Sequence, residues 1–164
     1  MPLPLHERIG HRIRRVEQEL VSAKHSVLRP FKVNVPQYHV LLALSQESGL
    51  SGAALARRCM VTPQTMSSVL STLENRGLVE RRPHPVHQHV LESRLTRSGR
   101  SLIDEADAAV AEVEERLTAA FSPDEAGCFL AALDRCSEAL AAGPAGPAGR
   151  APTPSAASPP EPGE

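Results

Sequence analysis

The sequence predicts a mainly α chain carrying one small β-hairpin, and three observations lead there. Only four residues are aromatic, one Tyr and three Phe, so the core must be built from Leu, Val, Ile and Ala, a composition that suits packed helices. Apolar residues recur at three- and four-residue spacing through most of the first 142 positions, the period of an amphipathic helix. A single stretch, 78–95, instead shows two short runs separated by a Pro- and His-rich loop, the mark of paired strands. At 164 residues the chain is one domain with room for an appendage, long enough to bury a core without disulfides or metal.

The first helix is expected from Leu5 to Pro30, with Leu5, Ile9, Ile13, Val16, Leu20, Val27 and Leu28 as its apolar stripe and proline as its stop. Arg8, Arg12, Arg14 and Arg15 form another face, for which solvent is the simpler reading than a phosphate backbone. Val33 to Pro36 breaks the chain, and Asn34 can cap a second helix from Pro36 to about Ser48 with Tyr38, Leu41, Leu42 and Leu44 inward. Ser51 can cap a short third helix reaching Arg58, with Leu50 placed to staple onto Leu55. Cys59-Met60-Val61 is then a three-residue turn, the length expected between the helices of a helix-turn-helix.

The fourth helix has both ends written into it. Thr62 is a good N-cap, Pro63 occupies the first helical position where its missing N–H costs nothing, and Gly77 supplies the left-handed residue that ends a helix. Met66, Val69, Leu70 and Leu73 form one narrow apolar stripe. The opposite face carries Gln64, Ser68, Ser71 and Asn75, with Thr65 and Ser67 at its edges, and none of these is acidic. An ordinary solvent face is rich in Glu and Lys; short uncharged side chains let a helix approach a surface closely, and Gln can bond adenine bidentately in a major groove. Taken alone, an ordinary polar face explains the pattern equally well, because helix-turn-helix patterns often arise by chance.

Leu78 to Arg82 and Val90 to Leu95 read as the two strands, joined by Pro83 to His89. Two helices followed by a two-stranded hairpin make a winged helix. Thr96 can cap a fifth helix to about Ala120, carrying Leu102, Ala106, Ala109, Val110, Val113 and Leu117; Ser122-Pro123 restarts a sixth to about Ala142, carrying Phe129, Leu130, Leu133, Cys136 and Leu140. These flanking helices hold more apolar surface than a small winged helix can cover, and the surplus predicts a partner, most simply a second copy. From Gly143 onward the chain is Pro, Ala, Gly and Ser, a composition expected to be disordered.

The runs Leu55-Ala-Arg-Arg, Val61-Thr-Pro-Gln-Thr-Met, Leu73-Glu-Asn-Arg-Gly-Leu-Val-Glu-Arg-Arg-Pro and Leu95-Thr-Arg-Ser-Gly-Arg100 resemble the winged-helix core of the MarR family of bacterial transcriptional regulators. The resemblance extends over about Leu5 to Leu140. It implies a winged helix-turn-helix DNA-binding lobe over 33–97, flanked by dimerisation helices at 5–29 and 98–142. It also implies a small, often aromatic effector bound between lobe and dimer helices, for which Tyr38 and His39 are the candidates; a Tyr in such a stripe is more often core with its hydroxyl at the surface. One departure stands out. The family's wing usually carries an Asp, a spacer and an Arg for the minor groove, and here those places read His87-Gln88-His89. Arginine is always charged whereas histidine is largely neutral at pH 7.5, so this wing is expected to add little affinity at neutral pH.

The formal net charge of −1 hides a segregation. Residues 49–100 hold eight Arg against three Glu, while residues 101–142 hold ten acids against two Arg; a local positive patch can hold phosphate on a nearly neutral protein. Sixteen of the 18 cationic residues are Arg, which codon bias explains more simply than phosphate recognition. His84, His87 and His89 crowd one loop, but no Cys, Asp or Glu there completes a metal site. The three Cys make neither a disulfide framework nor a zinc pair; Cys128 and Cys136 lie about 12 Å apart along one helix, too far to bridge. Buried, inert thiols in a reducing cytoplasm are the simplest expectation for all three, with no membrane span and no signal peptide. No Gly-rich phosphate loop, nucleophile elbow or His-Glu-x-x-His occurs, so neither enzymatic activity nor a cofactor is expected.

The sequence therefore predicts a homodimeric regulator of double-stranded DNA, a repressor on a pseudo-palindrome. Gln64, Thr65, Ser67, Ser68 and Ser71 are the expected base readers, Arg57, Arg81, Arg82, Arg94 and Arg97 the expected phosphate ligands, and His84, His87, Gln88 and His89 the wing. The competing expectation is a winged helix that contacts only other proteins.

Overall fold

The computed structural model describes residues 3–86 and 89–142. The predicted tail from 143 and the wing residues His87 and Gln88 lie outside the described residues. Residues up to Ala120 form one unit and the segment from Phe121 onward another.

In the first unit, α1 spans Ile9–Leu28, α2 Val35–Gln46, α3 Gly52–Arg58, α4 Pro63–Asn75 and α5 Arg97–Thr118, with strands β1 Leu50–Ser51, β2 Val79–Pro83 and β3 Leu91–Leu95. Each expected N-cap is formed: the side chains of Asn34, Ser51, Thr62 and Thr96 accept the N–H three residues on. Asn34 and Gln37 close a reciprocal capping box, at 2.9 and 3.1 Å. At the far end of α4, Gly77 adopts φ +66°. Its N–H reaches Glu74 O at 2.9 Å and the Leu78 N–H reaches Leu73 O at 3.0 Å, which is the Schellman arrangement.

Three expectations are corrected. The first helix does not begin at Leu5: a single 3₁₀ turn, Leu5–Glu7, is separated from α1 by an extended Arg8. The Arg8 and Arg12 side chains donate to the carbonyls of Leu3 and His6, both at 2.9 Å, satisfying groups that the break leaves unpaired. The sheet has three strands, not two, in the order β1-β3-β2. Leu50 and Ser51 pair with Ser93 and Glu92, so Ser51 is both a strand residue and the cap of α3. Finally, Leu78 belongs to the helix-ending turn, and β2 starts at Val79.

The core lies where α2 meets α4, α5 and the sheet. Leu41, Leu44, Leu55, Met66, Leu73, Val79 and Ile103 are buried within it. The stripe of α4 is as expected, with Val69 half-buried beside Met66, Leu70 and Leu73. In α5 the inward set is Ile103, Ala106, Val110 and Val113, while Leu117 is exposed. The α1 stripe is another matter: Ile9, Ile13 and Val16 are exposed, as is Leu5 before them, and only Leu28 is buried.

Tyr38 is buried in the core, and its hydroxyl donates to Asp107 at 2.6 Å. Burial first, then the adjoining carboxylate, pushes the phenol well above its ordinary pKa, so it remains a donor. Tyr38→Phe is expected to cost only about 1 kcal/mol, because the exposed Asp107 regains water when the bond is lost. Thermal melting of the variant checks this.

The segment from Phe121 contains α6, Pro123–Ala141, capped by Ser122 with a second capping box to Glu125. The capping hydrogen bonds hold the Glu125 carboxyl below its ordinary pKa. Phe121 stacks on Phe129 with ring centroids 5.2 Å apart, and Phe129, Leu130 and Leu140 are exposed. The expectation of buried thiols is corrected as well: Cys128 on α6 is exposed, and Cys59 and Cys136 are only half-buried.

Candidate nucleic-acid interface

The outward face of α4 is uncharged and accessible. Gln64, Thr65, Ser67, Ser68 and Asn75 are exposed and Ser71 is half-buried. Ser68 projects opposite buried Met66 and Leu70, as their spacing on one helix requires. Thr65 is partly committed to the helix start, since its hydroxyl lies 2.8 Å from that of Thr62. The turn that aims α4 brings Met60 into a left-handed conformation, φ +54°, with its side chain fully in solvent. Cys59, beside it, is half-buried, and that burial raises the thiol pKa against the weaker pull of Arg58. A thiol kept protonated is a poor nucleophile.

The arginines divide into two groups. Arg57 and Arg97 are exposed and make no ion pair among the described residues. Arg81 grips the Glu74 carboxylate with two nitrogens, Nε at 2.8 Å, tying β2 to the end of α4 and neutralising the one acid on that helix. Arg82 pairs with Glu80 at 2.9 Å and Arg94 with Glu92 at 2.8 Å, the latter also reaching Ser48 at 3.5 Å. An exposed pair such as Arg82–Glu80 is worth little, so its guanidinium can exchange a carboxylate for a phosphate; Arg81, half-buried, is held in place.

Two of the wing histidines, His84 and His89, lie among the described residues. His84 Nδ1 accepts the Val86 N–H at 3.0 Å, which places the ring proton on Nε2, 3.5 Å from the Glu92 carboxylate. This ring is turned toward the sheet. His89 lines a cleft of about 480 Å³ between the start of α3, the wing and α4, together with Ser67, Arg81 and Ser93. Among the described residues no cluster of His, Cys, Asp or Glu could hold a metal. No helix of the described residues is long and apolar enough to cross a membrane.

The other candidate pair, Tyr38 and His39, sits where α1, α2 and α5 meet. Their rings lie 5.5 Å apart, tilted by 52°. Burial and then the Lys24 ammonium lower the His39 pKa, against the pull of Glu114, and Lys24 itself bridges to Glu114 at 2.6 Å.

Several known proteins are similar to this chain in sequence and fold. The profile of the MarR family matches residues 31–88. The HTH-type transcriptional repressor Rv2887 of Mycobacterium tuberculosis (strain H37Rv) is 34% identical over 127 residues, which span 77% of this chain and 91% of the repressor. Its crystal structure in complex with p-aminosalicylic acid superposes with a TM-score of 0.62 at 33% identity, covering 79% of this chain and 98% of that one. The transcriptional repressor CouR bound to a 23-mer DNA duplex superposes with a TM-score of 0.75 at 25% identity, covering 84% and 99%. CouR from Rhodococcus jostii RHA1 has also been solved with p-coumaroyl-CoA, and in that form the TM-score is 0.72 at 26% identity, covering 88% and 98%. A winged helix-turn-helix fold, and a repressor of like sequence along three-quarters of the chain, place the protein in the MarR family of DNA-binding transcriptional regulators.

Proposed function

We propose that the protein is a sequence-specific repressor that binds a pseudo-palindromic double-stranded operator as a homodimer and is released by a small aromatic effector. The observation that carries the reading is the outward face of α4: exposed, uncharged, and cleared of its one acid by the Arg81–Glu74 pair. Gln64, Ser67 and Ser68 read base edges, with Thr65 and Ser71 at the margin, while Arg57 and Arg97 hold phosphates and Arg82 and Arg94 join them by exchanging partners. The second copy is called for by the exposed apolar residues of α1 and of α6, each of which would otherwise face water.

The experiment is anisotropy of a labelled fragment from upstream of the protein's own gene, titrated at several salt concentrations. With at least two phosphate contacts per subunit, affinity should fall roughly tenfold for each doubling of salt. Binding insensitive to salt, or absent from every genomic fragment, would leave a module that contacts only proteins. Light scattering should return twice the chain mass at micromolar concentration; a folded monomer would end the dimeric reading.

For the effector, two relatives set the chemistry: p-aminosalicylic acid in the Rv2887 complex and p-coumaroyl-CoA in the CouR complex. A phenol-bearing ligand between α1, α2 and α5 competes for the Tyr38–Asp107 hydrogen bond and meets His39. It shifts the operator equilibrium only to the extent that it binds one state more tightly.

A further inference from the structure

We infer that the junction of α1 and α2 is a binding site for a small phosphate-bearing anion, and that its occupancy is felt by the recognition helix. An open cleft of about 740 Å³ lies there, within the range of small-molecule sites. None of its lining residues is acidic. Arg29 and Lys32 both line it, both are exposed, and neither makes an ion pair among the described residues. His25 adds at least one ring N–H, whichever tautomer it takes.

The remaining polar wall is also made of donors. Asn34 and Gln37 line the cleft, and their capping box spends both amide oxygens, Oδ1 on the Gln37 N–H and Oε1 on the Asn34 N–H. What each side chain has left is its NH₂ group. Two cations, two amide-bearing side chains and the positive end of the 12-residue α2 therefore line one cleft with no carboxylate among them. That set matches a phosphate ester, whose several oxygens accept charge-assisted bonds, and it repels a cation.

The same turn anchors α4. Arg76, the residue that closes the recognition helix, donates to Lys32 O at 2.7 Å and to Phe31 O at 3.4 Å. Lys32 is held at φ +56°, a left-handed conformation that a residue with a Cβ adopts at a cost. A phosphate drawn to the Lys32 ammonium thus pulls on the backbone to which the end of α4 is tied. This second half rests on the proposed role of α4; the site itself does not.

Inorganic pyrophosphate is the probe, titrated into the full chain by calorimetry at constant ionic strength and without DNA. Saturable binding with a Kd of about 1 mM or tighter is expected. The double variant Arg29→Gln/Lys32→Gln should weaken it roughly tenfold or more, while Arg57→Gln/Arg97→Gln, on the DNA-binding face, should leave it unchanged. Both pairs are exposed, so melting temperatures should match the native chain. No saturable heat, or equal weakening by the two double variants, would overturn the site. Operator affinity is then measured with and without saturating pyrophosphate. A shift in the native chain that disappears in Arg29→Gln/Lys32→Gln supports the coupling, and pyrophosphate binding with no shift would overturn it. If pyrophosphate does not bind but Arg29→Gln/Lys32→Gln weakens operator binding as much as the Arg57 and Arg97 substitutions, the cleft holds a phosphate of the DNA and the small-anion assignment is wrong.

Discussion

Gly99→Ala should unfold the protein at a markedly lower temperature. Gly99 lies in the first turn of α5, buried, and a Cβ placed on it would sit 2.0 Å from the carbonyl oxygen of Leu78 and 3.0 Å from its carbon. Neither atom belongs to a side chain that can turn away. Leu78 is fixed from three directions: its N–H closes α4 on Leu73, its oxygen accepts the Thr96 N–H at 3.1 Å, and β2 follows at once. Relief must come from moving α5 away from the α4–β2 turn, which would part Ile103 and Ala106 from the core. A loss of about 3 kcal/mol is expected from overpacking of this kind, or roughly 10 °C in Tm for a chain of this size. The control is Gly127→Ala in α6, where nothing lies within 4 Å of the added methyl and helix propensity alone favours alanine by up to about 1 kcal/mol. If Gly99→Ala melts within a degree or two of the native chain, the close approach of α5 to Leu78 is not as described.

Gly99 also marks where sequence reading runs out. In the sequence it is one glycine in Leu95-Thr-Arg-Ser-Gly-Arg, and nothing local says that a carbonyl 21 positions earlier needs the space. The features that were legible are those whose chemistry is contained within four residues. Asn34, Ser51, Thr62 and Thr96 all cap the helices they were expected to cap, a new helix starts after Ser122 as expected, and Gly77 takes the left-handed conformation the α4 terminus requires. The missed features are pairings between distant residues. β1 is two residues long, too short for any periodicity, and exists only because Ser93 and Glu92 lie across from it. The break at Arg8 depends on carbonyls that its own side chain and that of Arg12 can reach.

The interface follows the same division. The neutrality of the α4 face is a property of one helix and could be read directly from its spacing. How the arginines divide could not: Arg81 and Glu74 are seven positions apart, on a helix and the strand after it, and only the turn at Gly77 brings them together. Basic residues counted along a segment therefore overstate the charge available to phosphate. Of the five arginines expected on the backbone, two stand unpaired among the described residues and three already face a carboxylate. The wing is a further case: His84 lies 3.5 Å from the Glu92 carboxylate, eight positions along the chain, a proximity that the hairpin creates.

Ser68→Glu should abolish most operator binding while leaving the fold intact. Ser68 is exposed at the middle of the outward face, its side chain on the opposite side of α4 from Met66 and Leu70. If that face enters a major groove, a carboxylate there meets acceptor-rich base edges and the negative potential of the flanking phosphates, with no cation of α4 beside it. On the proposed pseudo-palindrome a dimer would present two copies of α4, so the penalty would be incurred twice; at about 1.4 kcal/mol from each subunit, affinity would fall roughly 100-fold. Stability should not fall, because glutamate is a better helix former than serine and the site touches no core atom. Ser68→Ala separates the two contributions: it removes the hydroxyl without adding charge and should cost far less than Ser68→Glu. The measurement is anisotropy of both variants on the same DNA fragment, with melting curves run alongside. A Ser68→Glu protein that melts normally and holds the fragment as tightly as the native chain would mean that this face of α4 does not lie against DNA, and the contact would have to be sought at Arg57, Arg97 and the wing alone.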